Sequence, residues 1–146
     1  MARIDQYFKF MKEQAASDLH LSTGNPPILR INGDLIRVDS PAFSSDDLKG
    51  LVYEIAPEHK IKQFEETGDV DFGYEYPGFA RYRCNFFNQK YGIAAVFRLI
   101  PSKVLTADEL GLPPVLKKFS MLKKGLVVVT GPTGSGKSTT LAAMMD

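Results

Sequence analysis

Residues 131–138, near the C-terminal end of the chain, read Gly-Pro-Thr-Gly-Ser-Gly-Lys-Ser. They match the pattern G-x-x-x-x-G-K-[ST], in which backbone N–H groups of a glycine-rich loop surround a phosphate. Glycine suits such a loop because it reaches unusual backbone angles and places no side chain before the anion. Lys137 would bring positive charge to the β- and γ-phosphates, and the Ser138 hydroxyl would be a ligand for Mg²⁺. The segment therefore predicts a site for a nucleoside triphosphate.

The elements on either side of this loop support the same interpretation. Residues 126–129 are wholly apolar and predict a short strand of a parallel sheet, and residues 139–145 predict a helix. The positive N-terminal end of that helix would point at the same anion. A chance match in a chain of this length has a probability on the order of 1%. The residues expected to contact the nucleotide are Gly131, Thr133, Gly134, Ser135, Gly136, Lys137, Ser138 and Thr139.

The composition of the chain restricts the remaining classes of function. Its 146 residues are 44% hydrophobic and 24% charged, as in a globular domain. The net charge of +1 gives no general reason to bind nucleic acid or an anionic membrane. No apolar run approaches the roughly 18 residues of a membrane span, and the charged N-terminus differs from a signal peptide, so we expect a cytoplasmic protein. One cysteine and two histidines predict neither an internal disulfide nor a zinc cluster.

Arginines on predicted strands are the other candidates for contact with an anion. Arg81 and Arg83 alternate with apolar residues, and Arg98 lies in the strand predicted at 93–100. From the residues alone, an ordinary solvated or ion-paired role is favoured over a catalytic one by about two to one. The same caution applies to the lysines at 117, 118, 123 and 124, to the acids between 65 and 75, and to both histidines. Cys84 is expected in the core.

The first hundred residues predict helices mixed with antiparallel strands. Apolar residues at helical spacing predict helices at 4–11 and 58–66, and a Ser44–Asp47 capping box predicts another that ends before Pro57. A second capping box is predicted at Thr106 and Glu109, ahead of a helix striped by apolar residues between 115 and 122. Strands are expected at 28–31 and 35–38, joined by an Asn-Gly turn, and at 69–76, 80–86 and 93–100.

The hairpin around residues 77–78 permits a register prediction. A two-residue loop there would pair Phe72 with Arg83 and place one of them on the wrong face of the sheet. We therefore predict a three-residue loop with Gly78 at positive φ. The expected cross-strand pairs are Asp71 with Arg83 and Gly73 with Arg81.

Three segments of the chain resemble the type IV pilus retraction ATPases, a branch of the secretion ATPases. They are residues 16–33, residues 77–101 and residues 125–146, so the resemblance covers essentially the whole chain. It implies an α+β fold, in which residues 1–100 form a PAS-like N-terminal domain of antiparallel sheet and helices. Residues 101–111 would be a linker, and residues 112–146 the truncated start of a RecA-like α/β P-loop ATPase domain.

The resemblance also implies a function. Members of this family are similar to hexameric motors that use ATP and Mg²⁺ to power pilus retraction and twitching motility. The resemblance implies a homohexamer at the cytoplasmic face of the inner membrane. It also implies that partners such as an inner-membrane pilus platform protein attach the hexamer to that membrane, and that the protein does not bind nucleic acid. Arginines of the N-terminal domain reach the phosphates in this family. Arg81, Arg83 and Arg98 occupy the matching stretch, with Arg83 and Arg98 favoured for charge neutralisation at the γ-phosphate.

The resemblance leaves alternatives open. The family's aspartate-rich, Walker B and histidine-containing segments come after the phosphate loop, so hydrolysis by residues 1–146 alone is not expected. The residues could instead act as a subunit-interaction module without turnover, or belong to a pilus-extension or type II secretion ATPase. Those last relatives carry longer N-terminal extensions, and because Met1 lies just before the first predicted helix, retraction is favoured.

Overall fold

A computed structural model describes residues 2–100, 105–131 and 135–145. The chain divides into two compact units, Met1–Ile100 and Pro101–Asp146. Within the described residues, no helix is both long and apolar enough to cross a membrane. The domain types expected for the two units, and the linker at 101–111, stay predictions.

The first unit is a six-stranded sheet with helices on one face. Every neighbouring pair of strands is antiparallel, and the strand order is β3-β2-β1-β6-β5-β4. The mixed helix and antiparallel-sheet class is therefore confirmed. The strands are β1 (Asp18–Ser22), β2 (Ile28–Ile31), β3 (Asp34–Arg37), β4 (Asp69–Tyr76), β5 (Ala80–Gln89) and β6 (Gly92–Ile100). The helices are α1 (Asp5–Glu13), α2 (Ser45–Tyr53) and α3 (Glu58–Thr67).

The core lies between the three helices and one face of the sheet. The predicted apolar stripe of α1 is confirmed at Ile4, Phe8 and Met11, which are buried, whereas Tyr7 is only half-buried. The Phe8 ring stacks on Tyr82 with the ring centroids 4.1 Å apart. Because side chains alternate along a strand, burial of one set turns the other set outward. The outward set on β1, β5 and β6 contains the three candidate arginines.

The turn between β2 and β3 confirms the Asn-Gly prediction. Ile31 pairs with Asp34, so the loop contains only Asn32 and Gly33. Their φ angles are 51° and 96°. Two consecutive positive φ angles define a type I′ turn, whose twist matches that of the flanking strands.

Replacing Gly33 by alanine should destabilise the first unit by about 1 kcal/mol, because alanine is strained at positive φ. No atom lies within 4 Å of the position that a Cβ would take, so the cost comes from the backbone and not from a clash. Gly73→Ala is the matched control, since Gly73 also has open space and lies in a strand without positive φ. Urea unfolding curves of both variants test this, and equal midpoints would contradict it.

The β4–β5 hairpin confirms the predicted loop length but corrects the register. The loop has three residues, 77–79, because Tyr76 pairs with Ala80, and Gly78 has a φ of 69° as expected. The expected pairs are wrong: Arg83 lies opposite Gly73, Arg81 opposite Glu75, and Asn85 opposite Asp71. The physical reason is that a loop of residues 77–79 pairs Tyr76 with Ala80, and counting along both strands from there places Arg83 opposite Gly73. The expected pairs lie two residues away from this register, which preserves the faces but does not fit a three-residue loop.

Of the two predicted capping boxes, only the first begins a helix. Ser44 precedes α2 and its hydroxyl accepts from the Asp47 N–H at 3.1 Å, as expected. At the second box, the Thr106 hydroxyl accepts from the Glu109 N–H at 3.2 Å, and the Glu109 carboxylate accepts from the Thr106 N–H at 2.9 Å. Residues 107–111 form turns instead of a helix and end at Gly111, whose φ is 62°.

The second unit contains α4 (Pro114–Ser120) and α5 (Lys137–Met145). Both helices were expected, but the predicted strand at 126–129 is wrong. Those residues pair with no strand, and Leu126 and Val128 are 87% and 69% exposed. An extended segment becomes a strand only when a neighbour satisfies its N–H and C=O groups, and every strand among the described residues belongs to the first unit.

Candidate functional site

The glycine-rich loop leads directly into α5. The Lys137 ammonium donates to the Gly131 carbonyl at 2.8 Å, so the lysine side chain crosses back over the loop. Gly131 and Gly136 have φ angles of 154° and 87°, which favour glycine. A Cβ at Gly131 would lie 2.7 Å from the Ser135 hydroxyl oxygen, so the Ser135 side chain would have to move. The backbone angles of Gly131 and Gly136 therefore favour glycine at both positions.

The other predicted nucleotide contacts lie in the first turn of α5. Ser138 and Thr139 are exposed there, with their side chains open to a ligand. The Thr140 N–H donates to the Gly136 carbonyl at 2.8 Å, which joins the helix to the loop. Two predicted contacts, Thr133 and Gly134, lie outside the described residues.

These residues fit a triphosphate with Mg²⁺. The helix start supplies a positive dipole, Lys137 supplies a charge within reach of the loop, and Ser138 supplies a hydroxyl of the type that binds Mg²⁺. A bound nucleotide would supply the phosphoryl group, and Mg²⁺ would supply positive charge beside it. The residues of the chain would orient the phosphates and surround them with donors.

The three candidate arginines share the outward face of the sheet in the first unit. Arg83 on β5 lies directly opposite Arg98 on β6, and Arg81 lies opposite Ile100. Like charges directly opposite one another normally destabilise a sheet. Here each member of the central pair has a carboxylate: Asp71 lies 2.7 Å from Arg83 and Asp18 lies 2.7 Å from Arg98.

The central arginine pair borders an open cavity of about 330 Å³. Two further polar side chains and one small apolar side chain complete its walls. The lining residues are Asp71, Arg83, Asn85, Val96 and Arg98.

Sequence reasoning missed Asp18, which is the buried acid of this face. Its side chain is 4% exposed, and its carboxylate is 2.7 Å from Arg98 and 3.6 Å from Arg30. Burial alone would raise the pKa of Asp18, but hydrogen bonds from Ser17 and Arg98 and the positive charge of Arg98 outweigh burial and lower it. Asp18 is therefore ionised at neutral pH. The available signal was an acid at an outward position of a strand, two residues before His20.

His20 lies on the same face, two residues along β1. Burial, together with the charges of Arg30 and Arg98, lowers the pKa of His20, although Asp18 acts in the opposite direction. The imidazole is therefore neutral at pH 7. Its Nε2 atom is buried and has no hydrogen-bond partner among the described residues.

Cys84 and the lysines near the second unit's first helix take no part in either group of residues. Cys84 is buried as expected, and burial, with a smaller contribution from Asp71, raises the pKa of its thiol to about 12. The lysines at 117, 118, 123 and 124 lie at the surface, as a solvated role predicts, and Lys117 pairs with Asp108 at 2.6 Å.

One known protein family matches a region of the chain that includes both the phosphate loop and the three arginines. The model of the family described as "Type II/IV secretion system protein" matches residues 3–146. The chain belongs to this family. The match includes the glycine-rich loop, the three arginines and Asp18, so the secretion ATPase resemblance is confirmed.

Relatives within the secretion family include proteins of pilus movement. The chain is 52% identical over 143 residues to the "Type IV pilus retractation ATPase PilT" of Pseudomonas aeruginosa, which covers 98% of the chain and 42% of that relative. It is 45% identical to a "Twitching motility protein" of Neisseria gonorrhoeae over 82% of the chain and 32% of that protein. The chain thus spans less than half the length of the relatives that it matches.

Solved structures of ATPases are also similar to this chain. A crystal structure of the pilus retraction motor PilT with bound ADP is similar to 99% of the chain, with a TM-score of 0.87, 38% identity and 42% of its own length covered. The ATPase DotB of Legionella pneumophila is similar with a TM-score of 0.79 and 28% identity, over 97% of the chain and 41% of that structure.

Proposed function

We propose that the intact protein is an ATP-driven motor that powers type IV pilus retraction and twitching motility. The observation that carries the proposal is 52% identity to a pilus retraction ATPase over 98% of the chain, including the whole phosphate loop. The solved retraction motor with ADP supports nucleotide use by a protein of the same fold. A pilus-extension or type II secretion role is less well supported, because the type II secretion protein of Klebsiella pneumoniae matches only 44% of the chain.

ATP and Mg²⁺ are the proposed cofactors. Lys137 would neutralise charge on the β- and γ-phosphates, and Ser138 would contribute its hydroxyl to Mg²⁺. The backbone N–H groups of Gly131, Thr133, Gly134, Ser135 and Gly136 would donate to the phosphates. Phosphoryl transfer needs positioning and charge stabilisation more than covalent chemistry by the protein, and this set of residues supplies both.

The arginines of the sheet face are proposed to stabilise the charge of nucleotide phosphates. Arg83 and Arg98 are the leading candidates because they lie opposite each other beside an open cavity. Arg81 is on the same strand and face as Arg83, at the periphery of this pair. Guanidinium groups bind phosphate oxygens by paired hydrogen bonds, which makes them suited to charge that develops at the γ-phosphate.

The proposed assembly is a homohexamer at the cytoplasmic face of the inner membrane. Contact with the membrane would pass through partners, among them a pilus platform protein, and no nucleic acid is involved. Hydrolysis is proposed for the intact protein and not for residues 1–146 alone.

A complementation assay tests the proposed direction of movement. The full-length gene should restore twitching to a bacterium that lacks its retraction motor, and it should reduce the excess of surface pili in that strain. The Lys137→Ala version should do neither, since binding of the phosphates is weakened. Restoration of pilus assembly in an extension-deficient strain instead would overturn the retraction assignment.

A further inference from the structure

We propose that Asp18 is a positioning residue that fixes the guanidinium of Arg98 for contact with a nucleotide phosphate. The inference deepens the proposed function and rests on it. Asp18 is a buried acid, and the proposed roles of the phosphate loop and the arginines do not explain why an acid lies there. Asp18 does not itself touch the nucleotide in this proposal and acts through Arg98.

The first support is the geometry of the Asp18–Arg98 pair. The Nε atom of Arg98 donates to Asp18 Oδ1 at 2.7 Å. Among the described residues, the Nη atoms of Arg98 make no hydrogen bond, and the Arg98 side chain is 63% exposed. A guanidinium has five N–H donors in a rigid plane, so a bond through Nε orients the Nη donors without using them. These Nη donors are the ones that match two phosphate oxygens.

The second support is the contrast with Arg83. Asp71 accepts a hydrogen bond from Arg83 Nε at 2.9 Å, and the closest contact of this ion pair joins Arg83 Nη2 to Asp71 Oδ2 at 2.7 Å. Both side chains of that pair are open to water, 64% and 42% exposed. The carboxylate of Asp71 therefore lies against an Nη atom of Arg83, whereas the closest contact of Asp18 is with the Nε atom of Arg98 and leaves its Nη side open. Nothing in the sequence favours one of the two arginines over the other, but the structure shows that they make their closest carboxylate contacts through different guanidinium nitrogens.

The third support is the way in which Asp18 is itself held. Its Oδ2 accepts from the Ser17 hydroxyl at 2.7 Å and lies 3.6 Å from Arg30 Nε. In the sheet register Asp18 lies between Arg30 and Arg98, so one carboxylate serves two cations. The cluster keeps an excess of positive charge, which favours an anion above it. A buried carboxylate is costly unless it is paired and hydrogen-bonded, so its place is closely defined.

A double-mutant cycle on the full-length protein tests the proposal. Steady-state ATP hydrolysis is measured for wild type, Asp18→Asn, Arg98→Ala and the double variant, with thermal unfolding of each. Arg98→Ala should lower kcat/KM for ATP about 10- to 100-fold, which is the loss expected for one or two charge-assisted hydrogen bonds. In the wild-type background, Asp18→Asn should lower kcat/KM for ATP about tenfold. In the Arg98→Ala background, the same substitution should lower kcat/KM less than about twofold. Asp34→Asn, an exposed acid on β3, is the matched control and should change it less than about twofold.

The outcomes separate the inference from the proposed function. Equal losses from Asp18→Asn in the presence and absence of Arg98 would overturn the positioning role, since the acid would then act only through stability. Should Asp18→Asn fail to fold, Arg98→Lys decides the question. A lysine keeps the charge but cannot bond Asp18 and a phosphate in the same way, so a loss near that of Arg98→Ala is expected and wild-type turnover contradicts it. Wild-type levels of hydrolysis in Lys137→Ala would instead reject the proposed function, and the inference with it.

Discussion

Substituting Lys137 by alanine in the full-length protein should lower ATP turnover by at least about 100-fold. The Lys137 ammonium already lies 2.8 Å from the Gly131 carbonyl, at the start of the phosphate-loop motif. Its loss removes charge stabilisation where the transferring group carries the most negative charge. A coupled-enzyme ATPase assay measures the change, and size-exclusion chromatography with light scattering measures the oligomer.

The control for this experiment is Lys124→Ala. Lys124 is an exposed lysine of the same unit that precedes the loop, and its removal should leave turnover within about twofold. The Lys137 variant should assemble like the wild type, because Lys137 lies in the first turn of α5 and is not part of the hydrophobic core. Turnover above a tenth of the wild-type rate in Lys137→Ala would contradict the assigned role.

Replacing Phe8 by alanine should lower the free energy of unfolding of the first unit by about 3–5 kcal/mol. Phe8 is fully buried, stacks on Tyr82 at 4.1 Å and meets Phe97 edge to face at 5.3 Å between ring centroids. The truncation removes these contacts and leaves a cavity at the point where α1 meets the sheet. Chemical denaturation measured by circular dichroism gives the change.

Tyr91→Ala is the matched control for the core variant. Tyr91 is 66% exposed in the loop between β5 and β6, so its loss should cost less than about 0.5 kcal/mol. If Phe8→Ala and Tyr91→Ala lowered the free energy of unfolding by similar amounts, Phe8 would not be the core residue that its aromatic contacts indicate.

Local patterns in the sequence were sufficient for most elements of the first unit. Helical spacing identified α1, and the Asn32-Gly33 pair identified its hairpin because only certain residues accept two positive φ angles. Alternation placed Arg81 and Arg83 on the outward face correctly. These features depend on residues close together in the chain, so periodicity and turn chemistry are enough to specify them.

The features that the sequence did not reveal depend on distant residues. The β4–β5 register is an exception, because the turn that fixes it is local: the expected pairs lay two residues away from those that the three-residue loop imposes. The role of Asp18 was missed because its partners Arg30 and Arg98 come from two different strands, one of them 80 residues away. The strand predicted at 126–129 failed for the same kind of reason, since an apolar run needs a neighbouring strand that local pattern does not provide.

Discrimination between ATP and ADP tests the central claim most directly, namely that Arg98 acts on the γ-phosphate of a bound nucleotide. Calorimetry with the full-length protein should compare ADP and a non-hydrolysable ATP analogue, in the presence of Mg²⁺, for the wild type and Arg98→Ala. If Arg98 binds the γ-phosphate, the variant should bind the ATP analogue about tenfold or more weakly and ADP within about twofold of wild type. Equal weakening of both ligands, or of neither, would contradict the account.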